Sequence, residues 1–381
     1  MKKTCFGIIF ATAITLFGCG TGEEKNDAGY LTLSVQPNEA IKLSDFAEKI
    51  EFIKLANDSL LKGIEQLVID KNGNMLIRDD KRCSSLQLYA PNGKLICQVV
   101  KKGRGPGEYL RIHDIDIDNN KIFAEGNDIM LMSYDMKGNY IPNMPEIDMT
   151  GYTNFIIKGD TAIKCYGGSY ISFDINGQSY RKSIRKIKIK SVLNDFAPMH
   201  AKSHLAKNMD DGTVYWERYY NDTIFEAVGG DIKPFLYVDF GDWKLPEDIP
   251  IDDLTFYNEE ARKYCADISN FKISNNIISF LFAHKGKGYT CIYNRDTKKQ
   301  YVYSSLINDI NYVPILFPLV QAVHGKKIYF YIAPDMVAQF IEAAKESTEK
   351  EHQEMLKIII ESLGGEVDEM DNPYIAVVTC K

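Results

Sequence analysis

From residue 64 onward, hydrophobic and polar positions alternate in short runs broken by tight turns. The first set runs 64–69, 75–78, 86–89 and 95–100, with Asn72-Gly73 after the first run and Asn92-Gly93 after the third. Alternation with period two marks half-buried strands, and Asn-Gly between two such runs is a strong local hairpin signal. The set recurs at 113–118, 121–124 and 129–134, closed by Lys137-Gly138-Asn139, and at 154–158, 162–166 and 170–175, closed by Asn176-Gly177. Further copies occupy 204–240, 271–303 and the region from 317. Their first strands are spaced by roughly 49, 41, 50, 67 and 46 residues, which brackets the period of four-stranded propeller blades. The pattern predicts an all-β fold, a six-bladed β-propeller of four-stranded antiparallel blades over residues 31–381.

Two stretches depart from the strand period. Residues 252–268 and 335–363 carry helix-like spacing, the second with Val337, Phe340, Ile341 and Ala344 on one side and Gly364-Gly365 as its stop. The second insertion leaves the sixth unit with 374–379 as its third strand, while the apolar run 50–55 precedes the first unit with no partner. An open sheet edge invites wrong pairing, so the run 50–55 is expected to close the ring as the outer strand of the last blade.

Between the first two units lies Gly103-Arg104-Gly105-Pro106-Gly107-Glu108-Tyr109. Three glycines and a proline forbid helix or paired strand there. The segment lacks the spacing of a P-loop or a dinucleotide fingerprint, and an alternating run rather than a helix follows it. It reads as a joint between repeats. Gly105 and Gly107 are the positions expected to need positive φ.

The amino terminus supplies an address. Lys2 and Lys3 precede an apolar run, 6–17, too short for a stable membrane span, as in a secretory signal. Leu16-Phe17-Gly18-Cys19 resembles a bacterial lipobox, which implies a signal peptide over 1–18 and lipidation of Cys19, with 19–30 as a flexible acidic tether. Glu23 and Glu24 resemble the surface-export signal of Bacteroidota lipoproteins. An outer-membrane lipoprotein, facing the periplasm or the cell surface, is expected.

Composition narrows the functions. Forty-five per cent hydrophobic residues can fill a core, and a net charge of -7 disfavours a sequence-independent grip on nucleic acid. Cys83, Cys97, Cys165, Cys265, Cys291 and Cys380 show no metal spacing; Cys83 and Cys97 are the nearest candidate disulfide pair, with connectivity left open. Asp114, Asp116 and Asp118 alternate along one strand and read as a solvated face, since calcium loops need a curved backbone. The basic run 181–190 reads as the outer edge of a blade. No HExxH or GxSxG motif occurs.

In such blades, each joint from an outer strand to the next inner strand opens on the same face as the turns between second and third strands. That face is the default binding surface. Arg104, Glu108, Tyr109, Arg111, His113, Tyr219, Tyr220 and His284 are its candidate ligand-binding residues. The alternative for 103–109 is packing of blade against blade.

Together the Gly103–Tyr109 stretch, Tyr220-Asn221-Asp222-Thr223-Ile224, Asp239-Phe240-Gly241 and Asp371-Asn372-Pro373 resemble the six-bladed β-propeller lipoproteins of Bacteroidota, with an NHL-like repeat. Most members of that group have no assigned activity, so the resemblance implies a fold and an address and no catalytic residue. The leading expectation is a lipid-anchored, non-catalytic binding protein for a glycan, peptide or partner protein, with no nucleic acid and no cofactor. One alternative is a propeller enzyme, a calcium-dependent lactonase or a polysaccharide lyase or hydrolase, with calcium at the axis. Another is a scaffold in an outer-membrane complex.

Overall fold

The computed structural model describes residues 24–25, 30–79, 85–99, 103–126, 130–142, 149, 154–166, 170–175, 178–182, 204–218, 221–246 and 263–381. They form six small antiparallel sheets arranged as a ring, a six-bladed propeller. Blade 1 comprises Gln66–Ile69, Met75–Arg78, Leu86–Tyr89 and Leu95–Val99. Blade 2 comprises Ile112–Asp118, Lys121–Gly126 and Met130–Asp135, with Tyr140 bridged to Tyr134. Blade 3 comprises Asn154–Lys158, Thr161–Tyr166, Tyr170–Ile175 and Gln178–Lys182. Blade 4 comprises Leu205–Lys207, Val214–Trp216, Thr223–Val228 and Asp231–Asp239, and blade 5 Cys265–Ile273, Ile277–His284, Lys287–Asn294 and Lys299–Tyr303.

The ring closes as the hydrophobic pattern predicts. Blade 6 combines Val320–His324, Lys327–Ile332 and Tyr374–Cys380 with the amino-terminal strand Ala47–Lys54, which sets Ile53 opposite Ile375 and Ile50 opposite Val378. Before closing blade 6, the amino-terminal segment runs along the rim. Leu31–Ser34 adds in parallel to the outer strand of blade 4, and Ala40–Lys42 adds in parallel to Ser305–Ile307 beyond blade 5. Leu33, Val35, Leu43 and Phe46 along this strap are buried, so it is part of the core.

The core is divided among the seams between blades: six apolar clusters, one per seam. At the seam of blades 5 and 6 the cluster also takes in Val337, Ile341, Leu356 and Ile359 from two helices, Pro334–Lys345 and Lys350–Ser362. The expected single helical stretch 335–363 is therefore a helical hairpin. Its break at 346–349 is held by Ser347, whose Oγ accepts from Glu349 N at 3.3 Å and lies 2.8 Å from His352 Nδ1. The other expected insertion, 252–268, ran too far: Cys265–Ile273 is the inner strand of blade 5, and 252–262 lies outside the described residues. The Cys83–Cys97 pair is not formed, since Cys97 is a free thiol whose Sγ donates to Met136 O; Cys83 itself is outside the described residues.

Candidate functional site

The inner strands surround a cavity of about 110 Å³ along the propeller axis. An inner strand has a ladder partner only on its outer side, so side chains must satisfy the backbone groups that face the neighbouring blade. Asp114, Asp116 and Asp118 do this for blade 3, accepting from Phe155 N at 2.8 Å, Ile157 N at 2.8 Å and Gly159 N at 3.1 Å. The expectation of a solvated face is overturned, for Asp114 and Asp116 are buried. Burial pushes the Asp116 carboxyl up to about 6, against the pull of the Lys207 ammonium. Lys207 Nζ donates to Asp116 at 3.3 Å, Asp118 at 2.8 Å, Ile117 O at 3.0 Å and Ile157 O at 2.7 Å, joining blades 2, 3 and 4.

The seam of blades 4 and 5 uses the same device at a bulge. Pairing of Cys265–Ile273 with its neighbour shifts register around Ser269, and Asn270 has φ +53°. Phe271 N turns out of the ladder and donates to Glu217 Oε2 at 3.2 Å. Glu217 is buried with Oε1 unpartnered among the described residues, and burial pushes its carboxyl up to about 8, with Lys272 opposing. Among the described residues, no group of three or more His, Cys, Asp or Glu side chains is placed to hold a metal ion. The channel is a stapled wall with room for a few waters.

The joint 103–109 is a packing element in its turn. Tyr109 is buried and its hydroxyl donates to Val99 O, so it is not exposed on the loop face where it was expected. Burial pushes its phenol up to about 12. Glu108 Oε2 accepts from Gly105 N at 2.8 Å, folding that side chain back over the loop. Only Gly107 has positive φ, +72°, and a Cβ there would meet Tyr140 Cγ at 2.4 Å; Gly105 does not share that conformation. Arg104, Arg111 and His113 are exposed beside this closed turn. Tyr219 and Tyr220 lie outside the described residues.

The other stretches behind the family resemblance are also ties for joints. Asp371 accepts from Lys54 Nζ at 2.8 Å and Asn57 Nδ2 at 2.7 Å. Asn372 accepts from Leu61 N at 2.7 Å and donates to Ala56 O at 2.7 Å and Ser59 O at 2.8 Å. Asp239 accepts from Gly241 N at 2.9 Å, starting the 3-10 turn Gly241–Trp243. That turn presents Trp243 at the surface, its ring centroid 4.8 Å from that of His284 and 5.0 Å from Lys285 Nζ. His284 is buried beneath it, and burial lowers its pKa.

The joints also leave large apolar side chains on the surface. Leu60 stands on the joint into blade 1, Leu110 on that into blade 2, Trp243 on that into blade 5, and Leu316 and Phe317 on that into blade 6; all five are exposed. Met370, where the helical hairpin returns to blade 6, is exposed on the same face. The joints into blades 3 and 4 lie largely outside the described residues. The sequence pattern grouped the joints on one face but did not single out these residues, because a single leucine in a loop carries no signal until its neighbours in space are known. Trp243 had a signal: it is one of two tryptophans and follows Asp239-Phe240-Gly241.

Over residues 31–379 the chain matches the family called Domain of unknown function (DUF4934). It belongs to this family. Among solved structures it resembles a Bacteroides fragilis protein described as exported, with 16% identity, 90% of this chain and 99% of that one covered, and a TM-score of 0.63. A DUF4221 member from Bacteroides vulgatus aligns at 10% identity over 88% of this chain and 97% of that one, with a TM-score of 0.48. No curated protein matches the chain. Identities this low speak to fold alone, so function must be argued from the DUF4934 chain's own surface. No helix among its described residues is long and apolar enough to cross a membrane.

Proposed function

We propose that this DUF4934 protein is a lipid-anchored, non-catalytic propeller of the outer membrane that holds a partner polypeptide on its joint face. The observation that carries the reading is the set of exposed Leu60, Leu110, Trp243, Leu316 and Phe317 around one mouth of the channel. Apolar side chains repeated on successive joints of one face mark an interaction surface rather than scattered exposure. Aliphatic side chains dominate the set, which suits a polypeptide better than a glycan. The cavity behind it is small and lined by the Lys207 staple, which favours a ligand on the face over one in the channel. Lys2, Lys3, the apolar run and Gly18-Cys19 support the anchor.

Photo-crosslinking in intact envelopes tests the surface. A photoreactive residue at Leu316 should give a discrete protein adduct, while one at Lys298 on the opposite face should give none. Equal adducts from both positions, or none from Leu316, sink the reading. Cys19→Ala should move the protein from the detergent phase to the soluble fraction, and unchanged partitioning removes the anchor.

A further inference from the structure

The apolar positions of the joint face are interleaved with cations. Lys62 follows Leu60, Arg111 follows Leu110, Arg104 tops the same joint, and Lys285 lies against Trp243; all four are exposed. None of these four makes an ion pair with another described residue, whereas Lys54, Lys207 and Lys244 are each held by a carboxylate. A cation without a counter-charge beside an exposed apolar side chain is a pattern that an acidic, apolar ligand would complete.

The helical hairpin gives this face a polarity. Residues 334–369 hold ten acidic side chains and three lysines, a net of -7, which equals the formal charge of the whole chain, so the other residues balance to zero. The three lysines are already matched along the helices, Lys345 with Glu342, Lys350 with Glu354 and Lys357 with Glu361. The hairpin leaves the ring at blade 6, whereas three of these four cations stand on the joints into blades 1 and 2. A planar anionic surface covering the whole ring would meet the hairpin's charge. A polypeptide segment can set its carboxylates on the cations and only apolar side chains beside the hairpin.

We infer that the joint face binds an acidic, apolar segment of a partner polypeptide, its hydrophobic side chains on Leu60, Leu110, Trp243 and Phe317 and its carboxylates on Lys62, Arg104, Arg111 and Lys285. This inference rests on the proposed role of the joint face and adds the chemistry of the partner. It also sets orientation, because three of the four cations stand on blades 1 and 2, which draws most of the segment's charge there and leaves its apolar side chains for Phe317 at blade 6.

Panning a random display library of peptides about a dozen residues long on the full-length protein tests it. Enriched sequences should be acidic and apolar. Their affinity should fall about tenfold or more in Arg104→Glu/Arg111→Glu, and it should fall as salt is raised. Titration can be followed by Trp243 emission, since the other tryptophan, Trp216, is fully buried. Basic or neutral enriched peptides that still need Leu316 and Phe317 overturn the inference and leave the binding face standing. No enrichment, or enrichment unchanged in Leu316→Ala/Phe317→Ala, overturns both. Vesicles of phosphatidylethanolamine with phosphatidylglycerol that shift Trp243 emission where no acidic peptide does make the face a lipid-docking surface, and also overturn it.

Discussion

The two faces of the ring are built by the same strands and differ in how many large apolar side chains they leave exposed. On the face opposite the joints the turns satisfy themselves. Asp70 accepts from Asn72 N, Asn74 N and Asn74 Nδ2, each at 2.8 Å, and Asp135 repeats the pattern with Lys137 N, Asn139 N and Asn139 Nδ2 at 2.8 to 2.9 Å. Ser274, Asn294 and Asn208 cap their own turns similarly. On the joint face the backbone is tied too, by Asp79, Asp371 and Asn372, yet Leu60, Leu110, Trp243, Leu316 and Phe317 are left outward, against Val228 on the opposite face. Turns that complete their own hydrogen bonding have little left to offer a partner, whereas exposed joints carry the residues that folding does not use.

The comparison breaks most severely if the ring is opened. Deleting 49–55 removes the strand paired with Tyr374–Cys380 and the buried Leu55, with each fully buried apolar side chain worth about 1.5 to 3 kcal/mol. Both faces should be lost together, with no cooperative melting transition, while deleting 20–29 should leave melting nearly unchanged. Equal melting temperatures for the two deletions would contradict the closure.

Next is Lys207→Met. It leaves Asp116 and Asp118 without their cation and Ile117 O and Ile157 O without their donor. Removing one partner of a buried ion pair costs about 3 to 5 kcal/mol, so denaturant unfolding should show a loss of that order. A loss below about 1 kcal/mol would mean that the seam of blades 2 and 3 is held by its apolar cluster alone.

These effects show why some features could be read from sequence and others could not. The period, the closing strand and the helical insertion in blade 6 are patterns along the chain, so alternation and spacing revealed them. The Asp114-Asp116-Asp118 staple lies between chain segments: alternating carboxylates look the same whether they face water or the next inner strand, and nothing local tells which. Tyr109 misled for the same reason, because a tyrosine after a glycine loop reads as exposed until Val99 O is found beneath it. The exposed apolar residues of the joint face are the extreme case, carried on four separate loops that only the fold brings to one face.

The joint face itself can be divided by Gly107→Ala. Its φ of +72° and the approach of Tyr140 make any Cβ costly, about 1 kcal/mol or more for the backbone conformation and more for the displaced ring. Arg104→Ala, on the same loop, should change melting by less than about 0.5 kcal/mol. A large loss of stability in Arg104→Ala would return that side chain to the packing role of its neighbours.

The smallest effect is a slope. Glu217 has its carboxyl pushed up to about 8 by burial, so the folded state binds its proton more tightly than the unfolded chain. The stability this contributes is fully present below the ordinary glutamate range and is lost as pH rises through about 8. Asp116 and Asp222, pushed up to about 6 by burial, act in the same direction at lower pH. His204, lowered to about 4 by burial, acts oppositely: its contribution is present above the ordinary histidine range and fades as pH falls towards 4. These terms overlap below pH 7, but between about 7 and 8 Glu217 dominates among them. Thermal melts across that interval should show wild-type stability falling with pH and Glu217→Gln nearly flat, with the mutant no less stable at pH 8 because the amide still accepts from Phe271 N. A wild-type curve already flat between pH 7 and 8 would place the Glu217 proton elsewhere and leave the bulge of blade 5 capped by an ordinary carboxylate.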